Sequence, residues 1–98
     1  MDGIAYLISE HYESNEYGQR IAEETRREIF VTENSITRSE FFSAGRQGLN
    51  PEIVLVTPKV NYSGEKLVEY NGTVYSIYRA YASGDDIELY GERRAGSL

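Results

Sequence analysis

The sequence predicts a mainly β fold, a small antiparallel β-barrel or sandwich of about six strands with one short inserted helix. Three observations predict it. Short β-branched and aromatic runs recur between turn-forming residues along the chain. An Asn71-Gly72 dipeptide stands between two alternating segments, where both residues tolerate the positive φ of a tight hairpin turn. One capping-box pattern, Thr37-Arg38-Ser39-Glu40, opens the single stretch that reads as a helix.

Taken in order, Ile4-Ala5-Tyr6-Leu7-Ile8 is a strand and Glu13-Ser14-Asn15-Glu16-Tyr17-Gly18 the polar turn of a first hairpin. The return segment is Ile21 to Ile36. Its first part, Ile21 to Glu28, has a composition that suits a helix, yet its apolar residues do not recur at helical spacing, so the segment reads as an extended strand. A short helix follows Thr37, whose hydroxyl can accept from the Glu40 amide while the Glu40 carboxylate returns to the Thr37 amide. Phe41, Phe42 and Ala44 lie on it, and Gly45, Gly48 and Pro51 stop it by about residue 47. Ile53 to Val60 is a β-branched run, Tyr62-Ser63-Gly64-Glu65 a turn, and Lys66 to Tyr70 a strand that reverses at Asn71-Gly72 into Thr73 to Tyr81. Pairing Tyr70 with Thr73 sets Val68 opposite Tyr75 and Lys66 opposite Ile77. Ser83-Gly84-Asp85-Asp86 turns the chain into Ile87-Glu88-Leu89-Tyr90, with Ile87 and Leu89 inward. Glu92 to Leu98 reads as a loose tail.

At 98 residues the chain makes one domain, residues 1–98. A core of this size is modest, which makes oligomerisation a natural supplement. Nine tyrosines suit half-buried sheet faces and subunit interfaces, having an apolar body and a polar tip. With no cysteine, thiolate chemistry, disulfides and thiolate zinc sites are excluded. With His11 as the single histidine, one chain cannot assemble a multi-histidine metal site, and acid/base chemistry would have to run largely on carboxylates. A net charge of −6 is the wrong sign for gripping phosphates along a groove. No membrane span or secretory signal is read in the sequence, and no cofactor or metal is expected.

Candidate chemistry is thin, and an enzyme is not expected. Asp85, Asp86 and Glu88 can be drawn as a calcium or acid/base cluster, but Ser-Gly-Asp-Asp is ordinary turn chemistry without the spacing of a calcium loop. Arg26-Arg27 and Arg93-Arg94 fit a solvated face or interface ion pairs better than a nucleic-acid contact in an acidic chain. Gly45-Arg46-Gln47-Gly48 lacks the Lys-Ser/Thr ending of a phosphate loop. His11 beside Tyr12 in a polar segment reads as a surface residue.

The stretch Ser39-Glu40-Phe41-Phe42-x-Ala44-Gly45-x-x-Gly48-Leu49-x-Pro51-Glu52, with Ile36-Thr37 before it and Tyr62-Ser63-Gly64-Glu65-Lys66 and Val68 to Arg79 after it, resembles the head-tail joining proteins of tailed siphophages and their prophages. These are the head-closure, or stopper, subunits of the virion neck. The similarity extends to the Glu16-Tyr17-Gly18 turn and the Asp86 to Tyr90 strand. It implies a structural β-barrel protein, made in the bacterial cytoplasm, that forms an oligomeric ring with copies of itself. That ring would sit under the portal and its adaptor, close the DNA-filled head, and dock the tail or a tail-completion protein, touching packaged double-stranded DNA only transiently and no membrane. It also implies that the segment from Thr37 to Pro51 projects toward the channel. The gating candidates it carries are Thr37, Ser39, Glu40, Phe41, Phe42, Gly45, Arg46, Gln47, Gly48, Leu49, Asn50 and Pro51. On a short helix Phe41 and Phe42 point about 100° apart, so both cannot sit at the centre of one contact with the barrel and one is free for a neighbour. Arg46 is the cation there that can touch phosphate. The alternative readings are a free-standing small β-barrel binding module for peptide, sugar or single-stranded nucleic acid, held through exposed aromatics, and an enzyme using carboxylates such as Glu69 and Asp85, which would need a deep pocket that a domain of this size seldom has room for. For residues 37–51 the alternative to a gate is a cap on the barrel.

Overall fold

A computed structural model describes residues 2–14, 16–18 and 20–93, leaving aside the side chains at 11–14 and 20–22. Its elements are β1 (Asp2–Ser14), β2 (Arg20–Asn34), α1 (Arg38–Gly45), β3 (Pro51–Pro58), a 3-10 turn (Lys59–Asn61), β4 (Leu67–Tyr70), β5 (Thr73–Ser83) and β6 (Asp86–Arg93). All pairings are antiparallel, and the strand order β1-β2-β3-β6-β5-β4 returns on itself because β4 pairs with β1 as well as with β5. The expected mainly β fold with one short helix is therefore the observed one.

The stretch with helical composition, 21–28, is strand, as its spacing predicts. An amphipathic helix needs a continuous apolar face, and residues 23–28 carry none; pairing across β1 supplies their backbone hydrogen bonds instead. Closure follows from the inward faces. Ala5 and Leu7 of β1, Ile29 and Val31 of β2, Ile53 and Leu55 of β3, Val68 and Tyr70 of β4, and Ile87 and Leu89 of β6 form one buried cluster, with Tyr62, Tyr75 and Ile77 packed against it. In β3, Val54 is buried too, on the opposite face from Ile53 and Leu55; α1 packs on that strand with Ala44 as its buried residue. A continuous β-branched run is what a strand covered on both faces requires.

The predicted β4–β5 register is observed: Tyr70 opposes Thr73 and Val68 opposes Tyr75, and the Ile77 amide donates to the Lys66 carbonyl at 2.8 Å. Asn71 and Gly72 have φ of 52° and 81°, the left-handed pair the turn demands. Ile87 and Leu89 face inward as expected. Two boundaries differ. β6 continues through Glu92 and Arg93, where Glu92 opposes both Pro51 and Ser76, so these two residues are paired strand and not the start of the expected loose tail. Residues 94–98 lie outside the described residues. β1 also runs past Ile8 to Ser14, and this extension changes the shape of the molecule.

β4 pairs with β1 only from Ala5 to Ile8, and β3 pairs with β2 only from Thr32 to Asn34. From Glu10 to Thr25 the two strands of the first hairpin have each other and no third strand, and they leave the barrel as a two-stranded arm. The long dimension is accordingly 51 Å against 29 and 23 Å, and the radius of gyration is 14.9 Å, where a compact chain of this length would have about 13 Å. At the arm's root Arg26 binds Glu69 and Glu24, and Arg27 binds Glu65 and the Asn61 carbonyl. These arginines are spent on ion pairs within the chain.

Candidate functional site

Residues 37–51 are the stretch the sequence singles out, and they lie against the outside of the barrel, tied down at both ends. At the start, the Glu40 amide donates to the Thr37 hydroxyl at 3.1 Å, one half of the predicted capping box. The other half is absent. The Glu40 carboxylate turns away from the Thr37 amide and takes a hydrogen bond from the Tyr78 hydroxyl at 2.7 Å and an ion pair from Arg79 at 2.5 Å. A carboxylate sequestered by a cation and a phenol gains more than from one backbone amide at an exposed helix start, so tertiary partners on β5 take it. At the far end, the Asn50 amide donates to the Glu92 carboxylate at 2.9 Å, and Pro51 is buried at the first position of β3.

Between these anchors the helix closes through Arg46 to Phe42, Gln47 to Ala44 and Leu49 to Ala44 amide-to-carbonyl bonds, with Gly48 in the left-handed region at φ 81°. Gly45 stays helical and open, with no atom near the site of a Cβ. Ser39, Gln47 and Leu49 line a shallow hollow with Tyr78 and Arg79.

The outward face differs from expectation in one respect. Neither phenylalanine joins the buried core: Phe41 is 49% and Phe42 61% exposed, and their rings meet edge to face at 6.0 Å between centroids. Only Ala44 of the helix is buried. The two rings form one apolar knob, and Arg38 and Arg46, both exposed, stand at its two ends with no side-chain partner among the described residues.

Electrostatics fix the helix in place. The Arg79 guanidinium lies 4.1 Å above the Tyr90 ring, a cation–π contact, and the Tyr90 hydroxyl donates to Glu88 at 2.5 Å. Burial, reinforced by the bond to Glu40, pushes the Tyr78 phenol well above the ordinary tyrosine range. Burial and the Glu88 bond push Tyr90 up as well. These phenols stay protonated as donors, so the network holds α1 on the barrel as a structural clamp.

The remaining candidates are dispersed. Glu88 is engaged by Tyr90, the Asp85 carbonyl accepts from the Lys59 amide at 2.7 Å, and Asp86 opens β6; no group of three metal-ligating side chains gathers among the described residues. Arg93 pairs with Glu52 at 3.4 Å, while Arg94 and the side chain of His11 lie outside the described residues. No described helix is long and apolar enough to cross a membrane.

One surface was missed by sequence reasoning. Where β2 splays from β3, a groove of about 490 Å³ opens between Ile4 and Phe30 on one side and Val56 and Pro58 on the other, with Asp2 and Asp86 at its rim. Ile4 and Phe30 are a cross-strand pair on the outer face, 44% and 72% exposed. The signal was available: both alternate with the core residues Ala5, Ile29 and Val31, so a barrel wall must turn them outward. Compared with known proteins, the chain matches no protein-family model and no curated sequence.

Proposed function

We propose that this chain is a structural subunit of the neck of a tailed phage, forming a ring under the portal and adaptor that closes the filled head and presents a docking surface for the tail. The observation that carries the reading is the outward Phe41–Phe42 knob on α1: a small barrel that finishes its own core still leaves two adjacent phenylalanines in water, which marks a protein contact. It falls inside the segment whose sequence resembles the head-closure family. The described hollows are open grooves, and the titratable clamp beneath α1 is closed on itself, which supports a joining role over a catalytic one.

The acidic balance suits a channel through which DNA is retained and then passed, since a basic lining would hold it with affinity summed over many phosphates. In such a ring the tip of residues 41–48 is the part free to meet DNA or a neighbouring copy, with Arg46 as its cation.

Electron microscopy of the purified protein mixed with portal–adaptor connectors tests the assignment. The expected result is an added ring of density beneath the adaptor. No association with the connector of a filled, tailless capsid at any salt concentration removes the assignment. The gating role is separable: replacing Gln47 to Asn50 by a two-glycine link keeps the Phe41–Phe42 knob and Arg46 and should leave the subunit folded and recruited, while its capsids leak DNA after packaging. Capsids that keep full-length genomes with this variant leave the segment a joining element only.

A further inference from the structure

We infer that the Phe41–Phe42 knob of one copy seats in the β2–β3 groove of the next, so that copies of this chain associate head to tail through two different surfaces. The inference deepens the ring reading and rests on it for closure of the assembly, because a head-to-tail contact closes into a ring or continues as a filament according to its rotation.

Three features of the two surfaces match. The first is apolarity. The knob offers two phenyl rings that meet edge to face and are 49% and 61% exposed. The groove offers Ile4, Phe30, Val56 and Pro58, and Phe30 at 72% exposure is itself an aromatic residue without cover. The second is size. The groove measures about 490 Å³, and a cavity of roughly 150 Å³ accommodates one benzene ring, so a pair of phenyl rings fits with room for their backbone approach. The third is charge. Asp2 and Asp86 are the charged residues lining the groove, which has no cation among its lining residues. The knob is bracketed by Arg38 and Arg46, and the acid of its own helix, Glu40, is already neutralised by Arg79. The chain as a whole is repelled by its copies at −6, yet these two patches attract.

The occupant is a second copy because the complement of each patch lies on the same chain. The groove is built from β1, β2 and β3 with Asp86 at the start of β6, whereas the knob is held over β5 by Tyr78 and Arg79, so each copy carries one surface of each kind. Splaying of β2 from β3 is what opens the groove, and the Thr57 hydroxyl, donating to the Phe30 carbonyl at 2.8 Å, holds that opening where the ladder bond is missing.

The chain has no cysteine, so introduced thiols report alone. Gly45→Cys places one beside the knob at a position with open space, and Val60→Cys places one on the exposed 3-10 turn after Pro58. Each variant is prepared separately, and the two are mixed and treated with a short bis-maleimide, both free at high concentration and after addition to filled, tailless capsids. Cross-links between unlike variants and not between like ones are expected, and the double variant should give a ladder of oligomers. Phe30→Ser, at an exposed position, should reduce the unlike cross-link roughly tenfold. Arg46→Glu should reduce it, and adding Asp86→Lys should restore it. Like-with-like cross-links, an undiminished yield in Phe30→Ser, or no unlike cross-link in either setting overturns the contact. If a ring forms on the connector without the cross-link, this contact fails and the neck reading stands; if the cross-link forms but the connector recruits nothing, the contact stands and the neck reading fails.

Discussion

One hairpin, β1–β2, holds two regions that differ in almost everything except their pairing. In its lower part Ala5 and Leu7 oppose or adjoin Ile29 and Val31, all of them buried, and both outer edges are paired, to β4 and to β3. In its upper part the same two strands run on without a third, and the register sets Glu10 opposite Glu24 and His11 opposite Glu23. A like-charged pair directly across a ladder is unfavourable, and a two-stranded ribbon in water is marginal by itself. Backbone pairing alone is therefore compatible with either situation. Burial of one face decides which part is a wall and which an appendage.

Breaking the wall should have the largest effect. Leu55 is fully buried where the faces of β3, β2 and β6 meet, so Leu55→Ala should cost about 2–5 kcal/mol in chemical denaturation. The lower hairpin should lose its amide protection together with β3 and β6. If hydrogen exchange instead shows β1 and β2 surviving while β3 opens, the hairpin is an independent unit and the contrast drawn above is wrong.

The wall was legible in the sequence because its signals are local: alternation in β4 and β5, the Asn71-Gly72 turn, and a two-sided apolar run in β3. The arm was not, since residues 9–14 and 20–25 are mostly polar and carry no face to read; what extends them is the turn at their tip together with the register imposed from below. At the candidate site, the Thr37 cap was legible, as it depends on spacing alone. The destination of the Glu40 carboxylate was not, because Tyr78 and Arg79 lie far along the chain and only closure of the barrel brings them to α1.

That clamp yields the next effect in size. Glu40→Ala removes the acceptor of Tyr78 and the partner of Arg79, and should destabilise the protein by about 1–2 kcal/mol, a value reduced by the partial exposure of Arg79. Alkali tests the same contacts without mutation. Tyr62, Tyr70, Tyr78 and Tyr90 all have raised pKa values, burial being the first cause in each. Above about pH 10 the unfolded chain releases phenol protons that the folded chain keeps, so the unfolded state binds fewer protons and stability falls as pH rises. Tyrosinate absorbance should therefore appear together with loss of the β signal in circular dichroism; tyrosines that all ionise reversibly near pH 10 in the folded protein would show that these phenols are not held by the wall.

A smaller effect is expected at the β4–β5 turn. Gly72 has φ 81° with nothing near its Cβ position, so the penalty of Gly72→Val is backbone strain alone, at least about 1 kcal/mol. Unchanged stability would mean that another turn can hold the same register.

The smallest effect should come from removing the arm. Replacing residues 11–23 by a two-residue Asn-Gly turn keeps Ile8, Arg26 and Arg27, and with them the buried end of β1 and the ion pairs to Glu69 and Glu65. The deleted strands pair only with each other, so no ladder bond of the barrel is lost, and shortening the connection slightly lowers the entropy of closing the hairpin. Stability should change by less than about 0.5 kcal/mol, as for surface changes away from packed features. The radius of gyration measured by small-angle scattering should fall from 14.9 Å toward the roughly 12–13 Å of a compact chain. A loss of stability comparable to that of Leu55→Ala would show that the arm folds back onto the barrel in solution. A variant that stays folded yet is no longer recruited to portal–adaptor connectors would make the arm part of the binding surface, a role independent of the contact between knob and groove.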